Sequence, residues 1–102
     1  MAELPHPQVL RECLAAAARG PFFPDWEFST LFGLDREELD ALATSFDPSA
    51  PLGVEARRAI HSSVNNLLGY LHEQDSVWAD WISVSPERLR EIFEVWTAGN
   101  VA

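Results

Sequence analysis

Two helix starts, fifty residues apart, constrain this chain more than anything else in it. Residues 28–46 read FSTLFGLDREELDALATSF and residues 78–96 read WADWISVSPERLREIFEVW. Each is a short aromatic segment, a break and a capped amphipathic helix. In the first, Asp35 sits where an N-cap belongs, its carboxylate placed to accept from free amides of the first turn. Glu38 three residues on completes a capping box, and Leu34 with Leu39 has the spacing of a hydrophobic staple. Leu39, Leu42, Ala43 and Phe46 then fall on one helix face. In the second, Ser85 is the cap and Pro86 takes the first helical position, where its missing N–H costs nothing. Val84 and Leu89 form the staple, and Leu89, Ile92, Phe93 and Trp96 the face.

Overlaid at an offset of fifty, apolar positions meet apolar positions: Phe28 with Trp78, Leu31 with Trp81, Phe32 with Ile82, Leu34 with Val84. The match extends upstream, where Leu10, Leu14 and Ala17 fall on Ile60, Val64 and Leu67. Only Glu37/Glu87 and Leu39/Leu89 are identical within the nineteen-residue stretch. Two readings fit. Either two helix starts obey the same capping rules by convergence, or the chain holds a repeated helix–connector–helix unit, about 7–46 and 54–97, around a pseudo-two-fold axis.

Helix signals place the other elements. Pro7 opens a first helix that stops at Gly20-Pro21. Its core face is Val9, Leu10, Cys13, Leu14 and Ala17, and its slim alanine side admits a close neighbouring helix or a homodimer contact. The longest helix is expected over 54–72 with a core stripe of Ile60, Val64, Leu67, Leu68 and Leu71; Gly69 either sits inside it or ends it. Residues 47–53 are a linker by composition. Asp75 or Ser76 can cap one turn through Trp78 and Trp81, and an extended entry leads to the last helix, which should end near Thr97. No alternating run is long enough for a sheet. The expected fold is all-α, one domain over 1–102, with four main helices in a compact arrangement and short helical turns in the connectors.

Charge narrows the function. Sixteen acids stand against seven arginines and no lysine, a net charge of −9. Such a chain repels nucleic acid, whose affinity rests on phosphate neutralisation, and repels anionic membrane surfaces. It attracts a basic protein partner, or simply stays monodisperse. The lone Cys13 cannot form an internal disulfide and reads as a small buried hydrophobe in a reducing compartment. With Glu3 near the start and no long apolar run, neither a secretory leader nor a membrane span is expected, so the expected location is the cytoplasm.

Catalytic signatures are weak. His61, Asn65 and His72 lie on one side of the long helix, but eleven residues put the two rings about 16 Å apart along the axis. One zinc ion does not span that. His61, Ser62 and Ser63 are neighbours in sequence and point apart on a helix. Neither a Gly-x-Ser-x-Gly elbow nor a phosphate-cradling glycine loop occurs. Acids at the helix starts are explained by the helix dipole. No enzyme, metal or cofactor is therefore expected.

Two features escape these explanations. Residues 21–28 (PFFPDWEF) pack four aromatics and two prolines into eight positions. A connector this aromatic is either a lid over the core or an exposed binding patch. Arg57-Arg58, the one adjacent cationic pair, opposes the dipole at the start of the long helix, and Asp25 or Glu27 is its expected partner. The leading expectation is a small non-catalytic protein–protein interaction module of bacterial type, an antitoxin- or immunity-like inhibitor or a regulatory adaptor, binding a basic partner. Its candidate contact residues are Phe22, Phe23, Trp26, Glu27, Trp78 and Trp81. The alternatives are a helical domain with a small-molecule pocket lined by Phe22, Phe23, Trp26, Trp78 and Trp81, or a non-catalytic subunit of an enzyme.

Overall fold

Proline and glycine set the outlines. Pro7 starts the first helix with its φ pre-set and no amide to satisfy, and Gly20 ends it. A Cβ on Gly20 would lie 2.6 Å from the Ala16 carbonyl oxygen and 2.9 Å from the Phe22 ring, so only glycine lets the chain turn that tightly. The computed structural model describes residues 7–47, 53–70 and 73–100 (backbone only for 99 and 100). Six helices occur among them: α1 (Pro7–Arg19), α2 (Asp25–Phe32), α3 (Arg36–Ser45), α4 (Val54–Gly69), α5 (Trp78–Trp81) and α6 (Pro86–Asn100). A 3-10 turn, Asp75–Val77, leads into α5. No strand occurs among the described residues.

The fold is all-α. Where four main helices were expected, α1, α3, α4 and α6 are joined by α2, a full eight-residue helix, and by the short α5. Both cap expectations are met in atomic detail. Asp35 Oδ1 accepts from the Glu38 amide at 2.8 Å while Glu38 Oε1 accepts from the Asp35 amide at 3.1 Å. Ser85 Oγ accepts from the Arg88 amide at 3.2 Å. Gly33 closes α2 in the left-handed conformation at φ 73°, where any other side chain is strained.

α1 is the centre of the molecule. α3 runs close along it and α4 packs on it as well; α2 lies over α4, α5 lies over α1, and α6 rests on α4. Alanines explain the closeness of α1 to α3, since Ala16, Ala17, Ala18 and Ala43 are all buried and keep the backbones near. Between α4 and α6 larger groups intervene. His61 meets Phe93 edge-on at 5.2 Å, and Phe93 stacks on Trp96 at 5.9 Å. Leu10, Cys13, Leu14, Ile60, Val64, Leu39 and Leu89 are fully buried in one continuous core. The radius of gyration is 12.7 Å, close to the roughly 13 Å of a compact chain of about 100 residues.

Two boundaries differ from the leading expectation. α4 ends at Gly69 rather than near residue 72, because Tyr70 turns to an extended conformation (ψ 136°) and its amide closes the last turn on Asn66. Leu71 and His72 lie outside the described residues, as do His6 and most of the linker, 48–52. α6 continues past Thr97 to Asn100.

Candidate functional site

The aromatic connector is positioned from both ends. Pro21 and Pro24 forbid a helix across 21–24, so α1 stops and α2 starts afresh at Asp25. This kink turns Phe22 and Phe23 inward, where they are 1% and 3% exposed. Phe22 meets Trp78 edge-on at 5.9 Å, Phe23 meets Phe32 at 5.1 Å and Tyr70 at 5.5 Å, and Phe28 stacks on Phe32 at 4.5 Å. Trp78 is buried, and its indole N–H donates to the Val84 carbonyl at 2.8 Å. Trp81 is half-buried against the core. These rings are the lid, and they clasp the two halves of the chain together.

Trp26 is different. It is 80% exposed, far more than any other ring of the connector. With Ser29, Thr30 and Gly33 it forms the outward face of α2, and all four are exposed. Asp25 stands beside it with a side chain 90% exposed. A single indole thus rises above small polar neighbours with a carboxylate at its side.

The helix that carries Trp26 is anchored by two residues. Arg36, the first residue of α3, reaches back to the end of α1, where its Nη1 donates to the Ala18 carbonyl at 3.1 Å and the Ala17 carbonyl at 3.4 Å. Those carbonyls are the unsatisfied acceptors of a helix C-terminus, where a cation is also favoured by the dipole. Its Nη2 donates to the Phe23 carbonyl and its Nε to Asp25 Oδ1 at 2.5 Å. The guanidinium also lies 4.6 Å above the Phe28 ring. The second anchor is Tyr70, whose hydroxyl donates to Glu27 Oε2 at 2.5 Å. This bond to a carboxylate, helped by partial burial and by the carboxylate's charge, raises the Tyr70 phenol above its ordinary value.

The expected pairing of Arg58 with Asp25 or Glu27 is not what forms. Asp25 is taken by Arg36, and Glu27 by Tyr70. The link between connector and second half exists, but it runs to the end of α4 and not to its start. Arg58 instead lines an open groove of about 600 Å³ with Leu34, Glu38, Leu42, Ser45 and Glu55. None of the five aromatics first considered for a pocket borders this groove. Cys13 is fully buried, and burial pushes its thiol far up, with Glu12 adding to the shift. Among the described residues, no three His, Cys, Asp or Glu side chains converge in a way that could hold a metal.

Of the six candidate residues, then, Phe22, Phe23 and Trp78 belong to the core and Trp81 to its edge. Glu27 is structural, and Trp26 alone is presented to solvent. Arg36 escaped the sequence reading. A lone arginine after an N-cap carries no pattern, and only the fold shows the carbonyls it reaches. No protein-family model matches the chain, and neither a curated protein nor a solved structure shows significant similarity to it. Among the described residues no helix is long and apolar enough to cross a membrane.

Proposed function

We propose that this chain is a small acidic, non-catalytic interaction module that docks a basic partner protein on the outward face of α2. The observation that carries the reading is Trp26, 80% exposed beside a 90% exposed Asp25, on a helix that Arg36 and Tyr70 hold in place. A rigid indole brings large contact area at low entropic cost, and tryptophan is the side chain most enriched among residues that dominate binding energy. An arginine or lysine of a partner can lie over the ring and pair with the neighbouring carboxylate. The net charge of −9 steers such a partner in and turns nucleic acid away. By charge and size this reading covers an inhibitor of the antitoxin or immunity type, or a regulatory adaptor. The cytoplasm suits it, since Cys13 stays reduced there.

The test is affinity for a hexa-arginine peptide, measured by calorimetry on the full chain and on Trp26→Ser. Charge alone gives some attraction, which salt removes. Trp26→Ser leaves the charge untouched, and losing a cation–π contact of about 0.5–2 kcal/mol should weaken binding roughly two- to thirtyfold. Equal affinity of the two proteins would mean that the attraction is unspecific and the docking face misplaced.

The groove beside Leu42 and Arg58 favours a second reading, a small-molecule site, because its volume of about 600 Å³ suits a drug-sized ligand. Saturable binding of a metabolite that shifts the amide resonances of Glu38, Leu42 and Arg58 would support it.

A further inference from the structure

Every residue from 24 to 39 has the same degree of burial (buried, half-buried or exposed) as the residue fifty positions further on, from 74 to 89. The burial match runs without a break to the start of the last helix of each unit, although the backbone differs in detail: α2 is one helix closed by a left-handed Gly33, whereas its counterpart is a 3-10 turn and the short α5, closed at an extended Ile82. Only Asp25/Asp75, Glu37/Glu87 and Leu39/Leu89 are identical within it. Hydrogen bonds repeat at the same offset. The amides of Gly20 and Tyr70 close the first helices on Ala16 and Asn66, both at 2.8 Å. Those of Glu27 and Val77 bond to Pro24 and Gln74, both at 3.2 Å, and those of Leu39 and Leu89 to Asp35 and Ser85 at 3.1 and 2.9 Å. The N-cap side chains of Asp35 and Ser85 accept from residues 38 and 88.

Convergent capping explains the last of these matches and not the rest. It requires neither an equal number of residues between the end of the first helix and the cap nor the reciprocal packing across the molecule. α2 of the first half lies over α4 of the second, and α5 of the second over α1 of the first. Side chains follow the same exchange. Glu12 of α1 accepts from Ser83 of the second half, from its amide at 3.0 Å and its hydroxyl at 2.8 Å. Asn66 of α4 donates to the Leu31 carbonyl of the first half at 3.4 Å. A two-fold axis between α1 and α4 generates this crossed pattern, although α3 lies much closer along α1 than α6 does along α4.

We infer that the chain is one helix–connector–helix unit present twice and closed by a pseudo-two-fold axis, with an arginine-docking face built in the first unit and left blank in the second. The blank is Ser76. Positions 26 and 76 follow an aspartate, sit on the first turn after the connector and are exposed in both units. The fold therefore asks nothing of the residue there, and the Trp26 indole has no structural task. That functional half of the inference rests on the docking reading above; the duplication does not.

Four full-length variants test it: Trp26→Ser, Ser76→Trp, the two combined, and the core exchange Phe28→Trp with Trp78→Phe. Hexa-arginine affinity and thermal unfolding are measured for each. Trp26→Ser should lose roughly two- to thirtyfold in affinity, the combined variant should regain it, and Ser76→Trp alone should bind two peptides. A folded combined variant that stays weak would overturn the equivalence of the two positions, while the loss in Trp26→Ser would keep the docking reading alive. Should the wild type prove indifferent to Trp26, the docking reading falls, and the core exchange then decides the duplication. Equivalent pockets predict one cooperative transition near the wild-type midpoint, with the indole N–H at position 28 protected from solvent by the Leu34 carbonyl. Loss of the cooperative transition, or rapid exchange of that N–H, would overturn it.

Discussion

Arg36 shows how one side chain can decide where a binding residue sits. It satisfies carbonyls of α1 and of the connector, pairs with Asp25 and covers Phe28, so it fixes the start of α2 relative to the end of α1. Its side chain is 28% exposed, so these bonds are only partly screened. Hydrogen bonds to a charged group contribute a net of about 1.5–3 kcal/mol when taken singly and do not add. Arg36→Ala should therefore cost about 2–3 kcal/mol in urea denaturation, and Arg36→Lys should recover only part, because an ammonium cannot fork between several carbonyls. A loss below about 1 kcal/mol would put the cluster among ordinary surface pairs. Arg19, which bonds Asp40 and Thr44 in the open, is that ordinary case. Arg36 could not be read from the sequence because its partners are main-chain atoms far away along the chain. Trp26 could be read only halfway. Its residue type was visible among the four aromatics of 21–28, but whether each ring faced in or out depended on the kink at Pro24.

At the scale of elements, the apolar spacing was nearly sufficient. Leu39 and Leu89 were assigned to helix faces by their distance from the caps, and both are fully buried. Truncating either to alanine should cost about 2–5 kcal/mol by chemical denaturation; under about 1 kcal/mol at either position would mean that the side chain is not in the core. Caps were legible because a capping box is a local rule, needing only residues three apart. The end of α4 was legible only as one of two alternatives, with Gly69 either inside the helix or ending it. Its apolar stripe continues through Leu68 to Leu71, so periodicity extends the helix, whereas Tyr70 leaves it to bring its ring against Phe23 and its hydroxyl to Glu27. A tertiary contact overrode the local pattern there. The same contact gives Glu27 a partner other than Arg58. With α4 extended to residue 72, nothing in the sequence placed Tyr70 beside the connector.

For the whole molecule, the all-α class followed from spacing and the crossed arrangement did not. That each short helix covers the first helix of the other half is a long-range fact, carried by side chains such as Phe22, Trp78, Glu12 and Asn66 that have separate local readings. The result is a small compact body with most of its aromatic surface inside and one indole outside, on a chain of net charge −9. Acidic residues are also spread over the outer faces of α3 and α6, where Glu37, Glu87, Glu91 and Glu94 are exposed. A basic partner guided by charge alone would therefore settle on many faces, whereas one that uses Trp26 settles on α2. Titration of the full-length protein with hexa-arginine, followed through backbone amide and indole resonances, separates the two most directly. The account predicts the largest shifts at Asp25, Trp26, Ser29 and Thr30 and at the Trp26 indole. Shifts spread evenly over the acids of α3 and α6, with the Trp26 indole unmoved, would contradict it.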